Sequence, residues 1–315
     1  MKHRIAILER IDQKSFEQNL ESVEIVDLTS HSEDEKFKLL NLFDAVVVKS
    51  RTEVNKKFID SASKLQIIAR AGIGIENIDS DYAAKKGIKV ISTPTANSVS
   101  TAEFTITIML LMIRNLPETI SMINEGDYRR HLIEGREISK LKIGIIGLGK
   151  VGSLVAKKLT SFGSYVIGYD INSDIRKKYK DLGIETTDDI NHVFSLVDII
   201  SFHVPLTNEN IGILNSKSLN LMKNGAIVIN TSRGGVINEH DLINALNSGK
   251  IKGAALDVIC NEPIFEFRKN EQSSINSIIH HPKVFYTPHM AASTTDAQER
   301  IAIELGKKIS QILTV

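Results

Sequence analysis

The chain has 315 residues, room for two domains of ordinary size, and its 42% hydrophobic residues against 24% charged exclude a disordered chain. With 39 lysines and arginines against 38 aspartates and glutamates, the formal charge is +1, which gives no reason to expect nucleic acid or a membrane surface as the main partner. Cys260 is the only cysteine, excluding an intrachain disulfide and a cysteine-type zinc site, and no metal is expected.

Residues 1–9 lack the long apolar core of a signal peptide, and the most apolar run, 104–113, is about half of a membrane span. A soluble cytoplasmic protein is the expectation. Short β-rich apolar runs then alternate with amphipathic stretches, the rhythm of parallel sheets with helical crossovers. In the first third the predicted strands are 5–8, 23–26, 45–48, 65–69 and 89–91, with a helix over 76–86 closed by Gly87. At Ser100-Thr101-Ala102-Glu103 a capping-box spacing predicts the start of a long buried helix; Pro117 either kinks or ends it. From residue 141 the rhythm restarts, with strands predicted at 142–146, 165–169, 198–202, 226–230, 253–257 and 284–286. Six strands with helices between them match a doubly wound sheet of order 3-2-1-4-5-6. A last helix is predicted from Ser293-Thr294-Thr295-Asp296, again with capping-box spacing.

Gly147-Leu148-Gly149-Lys150-Val151-Gly152 follows the predicted strand 142–146 and opens a helix, the setting in which GxGxxG binds a dinucleotide. Gly147 permits the tight turn, Gly149 lets the backbone approach a pyrophosphate, and Gly152 lets the helix pack close to the sheet. The N–H groups of the helix start, at Lys150 and Val151, face the phosphates. Asp170 closes the next strand, where a carboxylate meets ribose hydroxyls and repels a 2′-phosphate, so NAD is expected rather than NADP. Arg176 is the counter-candidate for a 2′-phosphate partner; its place on the following helix predicts a solvated surface charge.

Three polar residues stand after predicted strands of the second half: Arg233, Glu262 and His289. Ligands of open α/β sheets bind beyond the carboxyl ends of the strands. Such a trio suits oxidation of a 2-hydroxy acid. An arginine holds the carboxylate and polarises the carbonyl, a histidine takes the hydroxyl proton, and a carboxylate stabilises the imidazolium. Each has an ordinary alternative, as a surface ion pair, a turn carboxylate or one of nine histidines.

The glycine run, Asn230-Thr231-Ser232-Arg233-Gly234-Gly235, the stretch 255–263 around Asp257 and Glu262, and Thr287-Pro288-His289 resemble the D-isomer-specific 2-hydroxy acid dehydrogenase family in order and spacing. The resemblance implies an α/β fold of two doubly wound parallel-sheet domains. A Rossmann NAD domain (99–288) is inserted in a flavodoxin-like substrate domain (1–98 with 289–315). It also implies that Arg233, Glu262 and His289 are catalytic. Asp257 would receive the nicotinamide carboxamide, Val204 and Pro205 would line the adenosine side, and Thr231 and Ser232 would join the cofactor set.

Within the family the chain is most similar to the phosphoglycerate dehydrogenase branch, through residues 48–52, 70–79, 97–103 and 292–298. Lys49, Arg51 and Arg70 stand at or just after strand ends and are candidates to hold a phosphate; Lys49 replaces the arginine of many relatives, a point charge for a fork. The backbone N–H groups of Ile73 and Gly74 are candidates to cradle the substrate carboxylate, with Asn97 as a polar anchor. Arg129 and Arg130 resemble residues that reach a neighbouring subunit's site, or are solvated charges. Met290-Ala291 departs from the usual residue-plus-glycine after the histidine. The chain ends soon after His289, so no serine-sensing regulatory domain and no strong serine inhibition are expected. Cys260 is assigned no role. The implied reaction is oxidation of 3-phosphoglycerate, at the entry to serine synthesis. The alternatives are a reductase of glyoxylate, hydroxypyruvate or D-lactate, and an NAD-sensing interaction protein. A homodimer through the nucleotide domain is implied as well.

Overall fold

The computed structural model describes residues 2–20, 22–260, 262 and 277–313. It divides into two compact units, Met1–Asn97 with Ser293–Val315 and Ser98–Ala292.

The first unit is built on a five-stranded parallel sheet of β1 (His3–Ile7), β2 (Val23–Asp27), β3 (Ala45–Val48), β4 (Ile67–Arg70) and β5 (Lys89–Ser92), in the order β2-β1-β3-β4-β5. This is the flavodoxin-like order. All four residues of β3 are buried because helices cover both faces of a parallel sheet, which is why the strand reads as an unbroken apolar run. Leu8, Phe43 and Phe58 fill the core on one face, and Ile5 and Phe16 lie in the core on the other. The second core is completed by Ile301, Leu305 and Ile309 of the helix Thr295–Leu313, whose four-residue spacing lines one face. Val48 is registered with Arg70, so the chain leaves β3 and β4 side by side, with Lys49 beside Arg70.

The second unit has a seven-stranded parallel sheet of β6 (Lys142–Ile146), β7 (Tyr165–Tyr169), β8 (Glu185–Thr187), β9 (Ile199–Phe202), β10 (Ala226–Asn230), β11 (Ile251–Leu256) and β12 (Val284–Tyr286), in the order β12-β11-β10-β9-β6-β7-β8. The strand order reverses at β6, flanked by β7 on one side and β9 on the other, and a doubly wound sheet opens its ligand crevice at such a point. The helix Ser98–Ile113 buries Ala102, Ile106, Met109 and Ile113 against β10, β11 and the helix Lys150–Ser161. Among the described residues no single helix is long and apolar enough to cross a membrane.

The structure departs from the sequence reading at several points. Strand β8 adds a seventh strand to the expected six, and its Glu-Thr-Thr sequence at the sheet edge carries no apolar signal. The long helix begins at Ser98, leaving Ser100 buried inside it rather than capping it. Pro117 neither kinks nor ends that helix. The break comes at Asn115, in the left-handed conformation, and Pro117 lies in the first turn of a second helix, Leu116–Asn124, bent by 61°. The helix foreseen over 76–86 is confined to Ser80–Lys85, because the Asp79 side chain accepts the Tyr82 N–H and so fixes the start there. The C-terminal helix takes Thr294 rather than Ser293 at its start, through the Ala297 N–H donating to the Thr294 hydroxyl. The unit boundary falls after Ala292 rather than before His289, because Asp257 of the second unit holds residues 289–291.

Candidate active site

The nucleotide loop leaves β6 at Gly147, whose φ of +92° suits glycine; a Cβ there would stand 2.6 Å from the His203 carbonyl oxygen. At Gly152 a Cβ would collide with the Gly147 carbonyl, so the helix Lys150–Ser161 closes onto the loop only with glycine in place. Gly149, the residue before that helix, has open space where a Cβ would be and makes no side-chain cap. The first-turn N–H groups at Lys150, Val151 and Gly152 have no acceptor within their own helix. The loop therefore offers a concave set of donors with the middle glycine facing open space, which fits the pyrophosphate of NAD.

Asp170 follows β7, and each of its carboxylate oxygens accepts a backbone N–H, from Leu148 and from Asn172, both at 2.9 Å. It thus ties the end of β7 to the glycine loop and retains a lone pair on each oxygen toward a ribose diol. Arg176 is not the solvated charge expected of it. Its Nη1 donates to the carbonyls of Asp170 (2.6 Å) and Ile171 (3.1 Å), and its Nη2 lies 3.6 Å from Asp188. Val204 packs its Cγ1 against Gly147, and the next residue, Pro205, accepts the Asn210 side-chain N–H at its carbonyl.

At the carboxyl end of β10 the buried Asn230 builds the turn that carries Thr231, Ser232 and Arg233. Its Oδ1 accepts the Ser232 N–H (3.0 Å) and hydroxyl (2.9 Å), while its Nδ2 donates to the Arg233 carbonyl (2.9 Å). Thr231 shares a buried 2.8 Å hydrogen bond with Thr105 of the long helix. Gly234 packs directly on the backbone of Ile259 and Cys260, with no room for a Cβ, and so brings the arginine turn against the loop that leads to Glu262.

His289 and Glu262, 27 residues apart in sequence, meet at 2.7 Å through Nδ1 and Oε2. With Nδ1–H donating to the carboxylate, Nε2 is the nitrogen left for a substrate proton. The Glu262 hydrogen bond raises the imidazole pKa above its ordinary value against the opposing effect of burial. Charges on Glu262 and Asp257 raise it further, and Arg233 lowers it. These four side chains therefore form one electrostatic group.

His289 also has a φ of +51°, unusual for a residue with a Cβ. Asp257, fully buried, holds that conformation. Its carbonyl accepts the His289 N–H (2.9 Å), and its carboxylate accepts the Thr287 hydroxyl (2.6 Å) and the N–H groups of Met290 (2.9 Å) and Ala291 (2.8 Å). Burial raises the Asp257 pKa while these donors oppose the shift. The residue assigned to the nicotinamide carboxamide thus has most of its acceptor capacity committed to the histidine turn. Cys260 donates its N–H to Glu239, and burial pushes its thiol up to about 11, an inert group.

In the first unit Lys49 and Arg51 follow β3 and Arg70 ends β4. The Lys49 ammonium donates to Gln298 of the C-terminal helix at 2.7 Å. Burial lowers its pKa, Glu9 opposes this, and Arg70, Arg10 and Arg51 lower it further. The Arg70 Nη1 donates to the Ala71 carbonyl (2.7 Å). Ile73 and Gly74 lie in the loop after β4, partly open to solvent, and Asn97 is buried at the end of this unit. Arg129 is engaged by Asp127 two residues earlier, through Nε at 2.9 Å and Nη2 at 2.6 Å, which lowers the Asp127 carboxyl to about 2. Arg130 stands exposed in the short turn Arg130–Leu132. Sequence reasoning missed Glu9, Asn77, Asn230 and Thr287 as supporting residues. The only signal for each was a polar side chain next to a strand end or inside a loop.

A family model described as "D-isomer specific 2-hydroxyacid dehydrogenase, NAD binding domain" matches residues 106–291. The chain is 36% identical to the hydroxypyruvate reductase of Thermotoga maritima, covering 100% of this chain and 99% of that protein. It is 37% identical to the D-3-phosphoglycerate dehydrogenase of Methanocaldococcus jannaschii, over 90% of this chain and 52% of that one. The chain spans about half the length of the phosphoglycerate dehydrogenases it matches. The D-lactate dehydrogenase of Aquifex aeolicus, solved with NAD and lactic acid, is 27% identical with a TM-score of 0.81, covering 99% of this chain and 96% of the other.

Proposed function

We propose, from the premise that this chain belongs to the D-isomer specific 2-hydroxyacid dehydrogenase family, that it oxidises D-3-phosphoglycerate to 3-phosphohydroxypyruvate with NAD. The observation that carries the substrate assignment is the cation group at the strand ends of the first unit: Lys49, Arg51 and Arg70, with Arg10 near enough to act on Lys49. A lactate or glyoxylate site needs one carboxylate partner, whereas a phosphorylated acid needs several cations.

A bound NAD would supply the hydride acceptor for the carbinol carbon of the substrate. The residues of the chain manage the rest. Arg233 holds the substrate carboxylate and polarises the developing carbonyl. His289 takes the hydroxyl proton on Nε2 while its Nδ1–H stays on Glu262, which stabilises the imidazolium so formed. The N–H groups of Ile73 and Gly74 and the Asn97 side chain support the acid end of the substrate. Gly147 to Gly152, Asp170, Val204, Pro205, Thr231, Ser232 and Asp257 serve the cofactor.

A second reading, reduction of hydroxypyruvate or glyoxylate, is favoured by the Thermotoga relative, which matches end to end, and by Lys49, which offers a phosphate no bidentate fork. Initial rates with purified protein on 3-phosphoglycerate, hydroxypyruvate, glyoxylate and D-lactate separate the two. Turnover of the unphosphorylated acids without 3-phosphoglycerate would end the phosphate assignment.

The enzyme acts as a homodimer through the nucleotide domain. Leu116, Ile120, Ile123, Tyr128 and Leu132 are exposed along one stretch of it, and an apolar groove of 790 Å³ beside them includes Leu110, Leu111 and Phe162. A monomeric mass in solution would contradict this.

A further inference from the structure

The loop that carries Lys49 and Arg51 is held through both its N–H groups and its carbonyls by residues with no assigned part in the reaction. Glu9 stands two residues past the end of β1 and is only 9% exposed. Its Oε1 accepts the N–H groups of Lys49 (2.8 Å) and Thr52 (2.9 Å), and its Oε2 accepts that of Arg51 (3.1 Å). The Asn77 Nδ2 donates to the carbonyls of Lys49 (2.8 Å) and Thr52 (2.7 Å). Three N–H groups and two carbonyls of a four-residue loop are thus satisfied by two side chains. Ser50 and Arg51 of that loop are exposed and Thr52 is buried, so these bonds rather than packing fix its course, and removing either side chain frees it.

Charge points the same way. Arg10, Arg51 and Arg70 all act on Lys49 as like charges, and Glu9 is the opposing carboxylate among those named influences. Four cations gathered at adjacent strand ends repel one another unless an anion offsets them. Glu9 does so with its acceptors turned to backbone N–H groups of the loop.

We propose that Glu9, together with Asn77, is a positioning residue for the substrate: it sets the Lys49–Thr52 loop and balances its cations so that Lys49 and Arg51 are held ready for an anionic group. This rests on the reading that the first unit takes the anionic end of the substrate.

The test compares Glu9→Gln and Asn77→Ala with the wild-type enzyme, using NAD or NADH and whichever acids of the panel above the wild type turns over. Glutamine preserves the shape of Glu9 but loses its charge and sets an N–H against the Arg51 N–H. The expected result is a KM for the acid raised about tenfold in each variant, with kcat within about threefold and NADH affinity, read by fluorescence titration, unchanged. The double variant should lose less than the product of the two, since both act on one loop. Ile68→Val, a small cavity in β4, supplies a destabilised control that lowers the melting temperature and leaves KM alone. If Glu9→Gln fails to fold, Asn77→Ala carries the same measurement. Unchanged KM for every acid, or a fall in kcat with KM intact, overturns the proposal. If 3-phosphoglycerate proves inert while hydroxypyruvate is reduced, the substrate assignment fails and the KM comparison still decides the role of Glu9.

Discussion

Replacing Glu262 with glutamine removes the charge that favours the imidazolium of His289 while keeping the size of its partner. The pair is 2.7 Å long, and a hydrogen bond to a charged group contributes about 1.5–3 kcal/mol. His289 is 52% and Glu262 26% exposed, so solvent screens the pair and the lower end applies: about 1.5 kcal/mol, or roughly tenfold in the protonation equilibrium. Because Glu262 raises the imidazole pKa, the substitution moves it down. In the reducing direction the imidazolium is the proton donor, and activity is lost as pH rises through its titration. The variant should lose that activity at lower pH and stand about tenfold below wild type on the alkaline side, with the gap closing at acid pH. In the oxidising direction the neutral imidazole is the base, so the variant should keep its activity to lower pH than wild type. The assay is kcat/KM in both directions over about pH 5 to 9, the range in which histidine titrates. Superimposable profiles would show that Glu262 does not tune His289.

Asp257→Asn sets an amide N–H against one of the N–H groups that the carboxylate now accepts, and the left-handed turn at His289 loses an anchor. Since such backbone strain costs about 1–3 kcal/mol, kcat should fall tenfold to a hundredfold, and by more than NADH affinity does; equal losses in both would assign Asp257 to the cofactor alone. Burial lowers the Lys49 pKa, so its charge is lost at lower pH than for a free lysine. KM for an acid substrate should accordingly rise on the alkaline side before ordinary lysines titrate, and Lys49→Arg should abolish that rise. With its thiol pushed up to about 11, Cys260 should react with iodoacetamide at neutral pH more slowly than free cysteine, as intact-protein mass spectrometry would record; rapid alkylation would contradict its burial.

What was legible in the sequence came from local signals. Ala45–Val48 and the first four residues of Ala226–Asn230 read as strand because a sheet covered on both faces favours apolar residues in an unbroken run. The glycine run announced its turn because its backbone leaves no room for a Cβ at two of its three positions. Strand Glu185–Thr187 escaped because an edge strand of three polar residues has no period to detect. The caps at Ser100 and Ser293 misled because several hydroxyl residues stood in a row, and packing chose among them.

The sequence by itself determined the reaction class and the dinucleotide, through the glycine run and the motifs that carry the family resemblance, and it singled out Arg233, Glu262 and His289 as candidates. Only the tertiary structure decided what holds them in place. Glu9 reaches a loop 40 residues away, Asp257 clasps a turn more than 30 residues on, and Arg176 folds back onto the strand it seemed to leave. Such roles depend on which polar atoms are brought together once the cores have excluded water. That information lies in distances across the fold rather than in the spacing along the chain.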